Sequence, residues 1–310
     1  MENEHLMENL SAGASLPYLA QRRTLGFRLR SEGYLLLNFA RYADQCGGGG
    51  PLTNKLAITW ARLPKGDNRP RWTRRLEAVR RVAKFLEVTD PATELPPRHL
   101  FGPSKQPYQP FLYSAKQIAQ LLAAAHRLSG KLRPRTYQTL MGLLACTGLR
   151  VSEALQLKVA EVDLQQGLLL VWEGKFGQTS WVPLHPTALP PLRRYNQQRQ
   201  KYFPLAERFF TSQSGTALLY STVNAVFSRL RQAIVWEGRP PRIHDLRHTH
   251  ACRVLQRWQA TRQGAEGRAL ILSRYLGHRH VRDTYWYLHA LPELMAGAGK
   301  RFEPDDHEKP

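Results

Sequence analysis

Six polar residues in the second half of the chain have side chains suited to the chemistry of a phosphodiester. An arginine is permanently charged and offers paired donors that fit phosphate oxygens. A tyrosine hydroxyl can attack phosphorus when nearby cations favour its phenolate form, and lysine or histidine can move the protons of that reaction. The six residues are Arg150, Lys175, His244, Arg247, His278 and Tyr287. Together they would suit the binding of a phosphate group and the transfer of protons beside it.

Taken singly, each of these residues has an ordinary structural explanation. Arg150 and Glu153 could form a surface ion pair at helical spacing, and His244 and Arg247 share the face of a helix start. Lys175, between glycines in a short loop, could be a solvated turn residue. His278 could cap a helix, and Tyr287 could pack in the core. The case for catalysis therefore depends on the set.

In order, in spacing and in flanking residues, the set resembles the tyrosine recombinase (phage integrase) family over most of Pro110 to Pro292. The resemblance implies a mainly α-helical protein with a small antiparallel β-sheet in its catalytic domain. It also implies two domains that form a C-shaped clamp on DNA. Strand exchange in such a protein would need no metal and no cofactor.

The resemblance also implies a role for each residue. Arg150 and Arg247 would clamp the phosphate, and Tyr287 would attack it to leave a 3′-phosphotyrosine and a free 5′-hydroxyl. Lys175 would be the general acid for the leaving oxygen. His244 would assist proton transfer at the nucleophile, and His278 would donate to a phosphate oxygen. Glu153 would be a supporting carboxylate for Arg150.

Two of these assignments have competitors in the sequence. Tyr285 lies two residues before Tyr287, although the spacing from His278 favours Tyr287 as the nucleophile. Lys158 and Lys201 are more distant candidates for the general acid.

Proline residues mark the boundary between two domains. Six of the 21 prolines fall between Pro91 and Pro110, where they disfavour a helix or a central strand. The sequence thus predicts an N-terminal helical core-binding domain over residues 1–95 and a linker over 96–112. A catalytic domain over 113–298 and a polar tail over 299–310 follow.

Helical spacing of apolar residues predicts the elements of both domains. In the first domain, Thr53 should cap a helix that carries Trp60. A basic helix should follow. Its charged faces could either contact DNA phosphates or form an ordinary solvated surface. Its candidate DNA contacts are Arg71, Arg74, Arg75, Arg80, Arg81 and Lys84. The catalytic domain should have helices over 114–128 and 135–146, then β-prone runs over 168–172 and 180–184 that join in a hairpin.

The composition favours a polyanion as partner. The chain has 310 residues, 45 lysines and arginines against 24 acidic residues, and a net charge of +21. Double-stranded DNA is the expected partner, with assembly as a homotetramer on two sites or with related recombinases. An apolar patch in Ala290 to Lys300 could be a segment that packs against a neighbouring subunit.

No membrane span or signal peptide is expected, and three scattered cysteines fit a reducing compartment. The expected location is therefore cytoplasmic and nucleoid-associated.

Three alternatives remain at this point. His244 and His248 are four residues apart, as in a zinc hydrolase motif, but an aspartate replaces the catalytic glutamate and Arg247 would repel the metal. His248 and His250 are then interpreted as packing or helix-cap residues. A DNA-binding protein without catalysis could share the fold, and a type IB topoisomerase would use a similar pocket.

Overall fold

The computed structural model describes residues 10–27, 29–47, 50–64, 66–103, 110–173, 178–259, 266–278 and 280–289. The chain divides into two compact units, residues 1–108 and 109–310. The point of division lies inside the proline-rich segment that the sequence predicts as a linker. The predicted Lys175 loop, the Ala290 to Lys300 segment and the 299–310 tail lie outside the described residues.

The described part of the first unit is helical. Thr53 caps α3 as predicted, because its side chain accepts a hydrogen bond from the backbone N–H of Leu56. Asn68 caps α4 in the same manner through the N–H of Arg71. The helices are α1 (Leu10–Thr24), α2 (Arg30–Gln45), α3 (Asn54–Arg62) and α4 (Arg69–Leu86).

A buried tryptophan organises the core of this unit. Trp60 has no exposed surface and meets the ring of Phe39 edge-on at 5.1 Å between centroids. The guanidinium of Arg75 lies 3.6 Å from the Trp60 ring centroid and donates to the Trp60 carbonyl at 2.8 Å. Arg75 therefore packs α4 against α3 through a cation–π contact and a hydrogen bond.

The second unit is mainly helical and includes the predicted antiparallel hairpin. Its sheet has the order β1, β2, β3, with every described pair antiparallel. Leu169 pairs with Val182, and both are buried against the helices. The strands are β1 (Val162–Asp163), β2 (Leu168–Glu173) and β3 (Gln178–Pro183). The helices are α5 (Ala115–His126), α6 (Arg133–Thr147), α7 (Val151–Gln156), α8 (Leu189–Tyr202), α9 (Tyr220–Gln232), α10 (Asp245–Gln259), α11 (Glu266–Tyr275) and α12 (Arg282–His289).

Helix α10 links the main core of this unit to the smaller cluster that includes Tyr287. Leu246, at its start, belongs to the main core, whereas Leu255 belongs to the cluster of Tyr287. Asp245 is 1% exposed and accepts a hydrogen bond from the backbone N–H of Arg242 at 2.7 Å. An acidic residue in the first turn also favours the helix dipole. The start of α10 is thus fixed by packing and by the hydrogen bond between Asp245 and Arg242.

No helix among the described residues is long and apolar enough to span a membrane.

Candidate active site

Arg150 stands at the joint between α6 and α7. Gly148 ends α6 with a φ of 66°, a left-handed conformation that glycine adopts without strain. The chain can then turn so that Arg150 begins α7. Glu153 fixes this arginine twice, since its carboxylate accepts from the Arg150 backbone N–H at 2.8 Å and from Nη1 at 2.5 Å. The expected supporting carboxylate is therefore in contact with its arginine.

Arg247, on the first turn of α10, is held by two backbone carbonyls. Its side chain is buried, with 3% of the residue exposed. Nη1 donates to the Gly148 carbonyl at 2.8 Å, and Nη2 donates to the Leu276 carbonyl. A guanidinium has five N–H donors, so these two bonds leave others for a ligand.

The two arginines meet at the turn that follows α11. Arg150 Nη2 donates to the Gly277 carbonyl at 2.8 Å, next to the Leu276 carbonyl that Arg247 binds. His278 comes directly after this turn. The arginines thus help to fix the histidine that shares their site.

His278 is oriented by a threonine. Its Nδ1 lies 2.7 Å from Oγ1 of Thr284, a side chain with no exposed surface. When the Thr284 hydroxyl donates to Nδ1, the neutral ring carries its proton on Nε2, where it can donate to a phosphate oxygen. Burial and then the charge of Arg247 lower the pKa of His278 to about 4, so that the ring is neutral at pH 7.

Tyr287, on α12, lies in this cluster. The residue is 3% exposed, and its ring stacks on His278 at 6.0 Å between centroids. Its hydroxyl lies 3.1 Å from Nδ1 of His248. Burial raises the pKa of Tyr287, whereas the charge of Arg247 acts in the opposite direction. The competing Tyr285 is 40% exposed, as expected two positions earlier on the same helix.

His244 and His248 are neighbours at the start of α10. Their rings meet edge-on with centroids 4.8 Å apart. His244 is exposed at the surface of the described chain. Desolvation and then the charge of Arg247 lower its pKa all the same. Arg150, His244, Arg247, His278 and Tyr287 are therefore brought together, as the sequence predicts.

The general acid predicted at Lys175 lies outside the described residues. The strands on either side of it end at Glu173 and begin at Gln178. Of the two competitors, Lys158 forms an exposed ion pair with Glu207 at 2.6 Å. Lys201 is exposed near the end of α8.

The six basic residues predicted to contact DNA have different surroundings. Arg71 and Arg74 are exposed and line a groove with Tyr34, which is 71% exposed. Lys84 is also exposed. The other three residues have protein partners: Arg75 stacks on Trp60, Arg80 donates to the Pro96 carbonyl, and Arg81 pairs with Glu32 at 2.7 Å.

The contact between His248 and Tyr287 does not follow from the sequence, which predicts only a packing or cap role for His248. The residue is 9% exposed. A signal was present, because His248 follows Arg247 directly and stands four residues, one helical turn, after His244. Within the described ranges, no three histidine, cysteine or acidic side chains lie close enough to hold a metal ion.

Comparison with known proteins places these residues in a family. The model of the phage integrase family matches residues 112–293. A Sinorhizobium fredii protein, y4rB, which carries the name integrase/recombinase, is 38% identical over 298 residues. The aligned region covers 92% of this chain and 95% of the relative.

Two solved structures share the fold. The Tn1549 transposon integrase in complex with transposon right end DNA superposes with a TM-score of 0.67 at 15% identity. That match covers 93% of this chain and 99% of the other. A lambda integrase tetramer bound to a Holliday junction gives a TM-score of 0.60 at 18% identity, covering 90% and 80% of the two chains. Since the family model spans more than half of the chain and the relative nearly all of it, the protein belongs to the phage integrase family, the tyrosine recombinases.

Proposed function

We propose that this protein is a site-specific DNA recombinase that cuts and rejoins duplex DNA, with Tyr287 as its nucleophile. One observation carries the assignment of Tyr287. Its hydroxyl is buried 3.1 Å from Nδ1 of His248, and the nearby charge of Arg247 opposes the rise in pKa that burial causes. A core tyrosine chosen for packing alone would not need two arginines and two histidines around it.

The arginines supply the electrostatic part of the reaction. An attacked phosphodiester develops negative charge on its nonbridging oxygens, and fixed cations in a water-poor site stabilise that charge. Arg247 cannot swing away, because two carbonyls hold it, and Glu153 and Gly277 hold Arg150. His278 adds a neutral donor through Nε2. The phosphate site is therefore preorganised before DNA arrives.

The reaction has two steps, cleavage of one strand and its rejoining, and the second step reverses the bond changes of the first. The Tyr287 oxygen forms a bond to phosphorus as the bond to the 5′-oxygen breaks, which leaves a 3′-phosphotyrosine. The leaving 5′-oxygen takes a proton, for which Lys175 remains the proposed donor. A 5′-hydroxyl from another strand then reverses the step. Because the phosphotyrosine keeps the energy of the broken ester, no nucleotide cofactor is required.

The DNA partner is double-stranded, and Arg71, Arg74 and Lys84 are the proposed contacts of the first unit. Arg75, Arg80 and Arg81 are not proposed as DNA contacts, because their side chains already bind other residues of the same chain.

We also propose that strands are exchanged in a homotetramer through a Holliday junction, which the fold shared with the lambda integrase tetramer supports. The protein would then act where the DNA is, in the cytoplasm at the nucleoid.

The test uses a library of duplexes that carry candidate sites and a nick near the cleavage position. Wild type, Tyr287→Phe and Tyr285→Phe are incubated with it in EDTA, and the products are separated on a denaturing gel. We expect a covalent protein–DNA band from the wild type and from Tyr285→Phe, and none from Tyr287→Phe. The DNA in that covalent band gives the sequence of the target site. Two intact duplexes that carry this site should then yield recombinant strands when they are incubated with the wild type.

Other results would point elsewhere. A band that survives in Tyr287→Phe but is lost in Tyr285→Phe would move the nucleophile to Tyr285. DNA binding without a band from any of the three proteins would support the non-catalytic alternative. Relaxation of supercoils without strand exchange would support topoisomerase activity.

A further inference from the structure

We propose that His248 is a catalytic residue that holds the Tyr287 hydroxyl in place and accepts its proton during strand cleavage, a role that rests on the proposed use of Tyr287 as nucleophile. The resemblance to the family implies proton transfer at the nucleophile for His244 and no function for His248. The 3.1 Å separation of His248 Nδ1 and the Tyr287 hydroxyl is a hydrogen-bond distance between a candidate base and the reacting oxygen.

The surroundings of His248 hold that nitrogen in place. The residue is 9% exposed on the first turns of α10, one position after the fixed Arg247. The ring of His244 meets it edge-on, and the Tyr287 ring lies 5.5 Å from it between centroids. Tyr287 in turn stacks on His278. The packing of His244 on His248 and of His278 on Tyr287 therefore keeps the tyrosine hydroxyl beside the His248 imidazole.

The protonation state of His248 suits this task. Burial, followed by the neighbouring His244 ring and nearby arginines, lowers its pKa to about 3. The imidazole is thus neutral at pH 7, and its Nδ1 can accept a hydrogen bond when the ring proton is on Nε2. A phosphate bound between Arg150 and Arg247 would bring negative charge close to the ring and raise that pKa. The base would then be strongest when DNA is in the site.

The proton balance closes with two groups. In cleavage the Tyr287 O–H bond breaks, the proton moves to Nδ1 and the O–P bond forms, while the P–O5′ bond breaks and the leaving oxygen takes the general acid's proton. In rejoining, the deprotonated general acid takes the proton of the attacking 5′-hydroxyl, and the imidazolium returns its proton to the Tyr287 oxygen as that oxygen leaves phosphorus. His248 thus serves the tyrosine side of the reaction, and the proposed Lys175 serves the other side.

Three variants separate the hydrogen-bonding atom from the packing. In His248→Asn, the side-chain amide places a polar atom where Nδ1 was. His248→Leu has nearly the same shape as asparagine and no polar atom. His248→Gln places its polar atoms further out, at the position of Nε2. Thermal unfolding and binding to the recovered site are measured for each variant, and the Asn and Gln variants carry the comparison if the Leu variant does not fold.

The readout is the single-turnover rate of covalent complex formation on two nicked substrates. One has a normal 5′-oxygen, and the other has a bridging sulfur in its place, which leaves without an acid. We expect His248→Leu to slow cleavage of both by about a hundredfold, the usual contribution of a general base. His248→Asn should recover part of that rate, and His248→Gln should recover less.

Several results would overturn the role. These are a Leu variant within threefold of the wild type, Leu or Gln rates equal to the Asn rate, and a Leu defect that the sulfur substrate removes. The last result would place His248 on the leaving-group side. An absence of covalent product from the wild type would overturn the proposed function itself, whereas product that the Leu variant forms equally fast would overturn the His248 role alone.

Discussion

At the scale of single residues, the two arginines of the site are held in different ways. Arg247 is 3% exposed and bonded to two backbone carbonyls, so it joins the end of α6 to the end of α11. Arg150 is held by Glu153 and Gly277, and 37% of its side chain is exposed. Arg247 therefore contributes to folding as well as to charge, and Arg150 contributes mainly to charge.

This difference predicts unequal results for the same exchange at both positions. Arg247→Lys keeps a charge but cannot bridge two carbonyls, and it should lower the free energy of unfolding by about 2 kcal/mol. Arg150→Lys should lower it by less than about 1 kcal/mol, because the Arg150 side chain is 37% exposed and a lysine can still pair with Glu153. Both variants should lose about a hundredfold in cleavage rate as paired donors to the phosphate disappear. Urea unfolding and the covalent-complex assay measure the two effects, and equal stability losses would contradict the distinction.

The arginines, histidines and tyrosine of the site are predictable from the resemblance of the ordered set, with its flanking residues, to the tyrosine recombinase family, because each residue alone has an ordinary structural explanation. The partners of those residues were harder to predict. Nothing in the spacing indicates that Arg75 stacks on Trp60, since an arginine on a basic helix looks the same whether it faces solvent or a tryptophan. The His248 contact also depends on how α10 packs against α12, which is a long-range feature.

At the scale of elements, the site depends on the end of α6. Gly148 has a positive φ, its carbonyl binds Arg247, and a Cβ at this position would lie 2.8 Å from Cδ2 of His250. His250 itself stacks on Tyr275 at 5.9 Å. The turn that begins α7 and the first turns of α10 are thus fitted to each other through a residue without a side chain.

Gly148, which caps α6, and Gly142, inside that helix, provide a matched test of this element. Gly148→Ala should lower the free energy of unfolding by about 1–3 kcal/mol through backbone strain and the clash with His250, and it should slow cleavage. Gly142→Ala, inside the same helix, meets only an ordinary contact at 3.8 Å from Leu122, so a gain of up to about 1 kcal/mol and normal cleavage are expected. Chemical denaturation of both variants checks the prediction. A Gly148→Ala protein as stable and active as the wild type would show that the joint tolerates a side chain.

The elements themselves were largely predictable, because apolar spacing and caps are local signals. The predicted capping residue of α3 and the β2–β3 hairpin are confirmed. Helix α1 is not predicted by the sequence pattern, and Pro17 lies within it. A proline in a helix weakens the local signal, while packing of Tyr18 and Leu19 in the core stabilises the segment.

At the scale of the whole molecule, charge decides the mode of binding. A net charge of +21 is far larger than solubility requires. It favours binding to a polyanion such as DNA through the phosphates, independently of the base sequence. Pairing within the protein reduces the part of that charge available to DNA. Arg81 is neutralised by Glu32, whereas Arg71 and Arg74 line an open groove. Which cations meet phosphates cannot be read from composition, because composition does not record these pairs.

The salt dependence of DNA affinity distinguishes the two kinds of arginine. Each phosphate contact adds about 0.9 to the slope of log affinity against log salt concentration, through release of counterions. An Arg71→Gln, Arg74→Gln double variant should therefore bind the recovered site more weakly, with a slope reduced by about 2. Arg81→Gln removes a charge already paired with Glu32, so its slope should change by clearly less than 1. Fluorescence anisotropy over a salt series measures all three proteins. A double variant with the wild-type slope would mean that this groove of the first unit makes no phosphate contact.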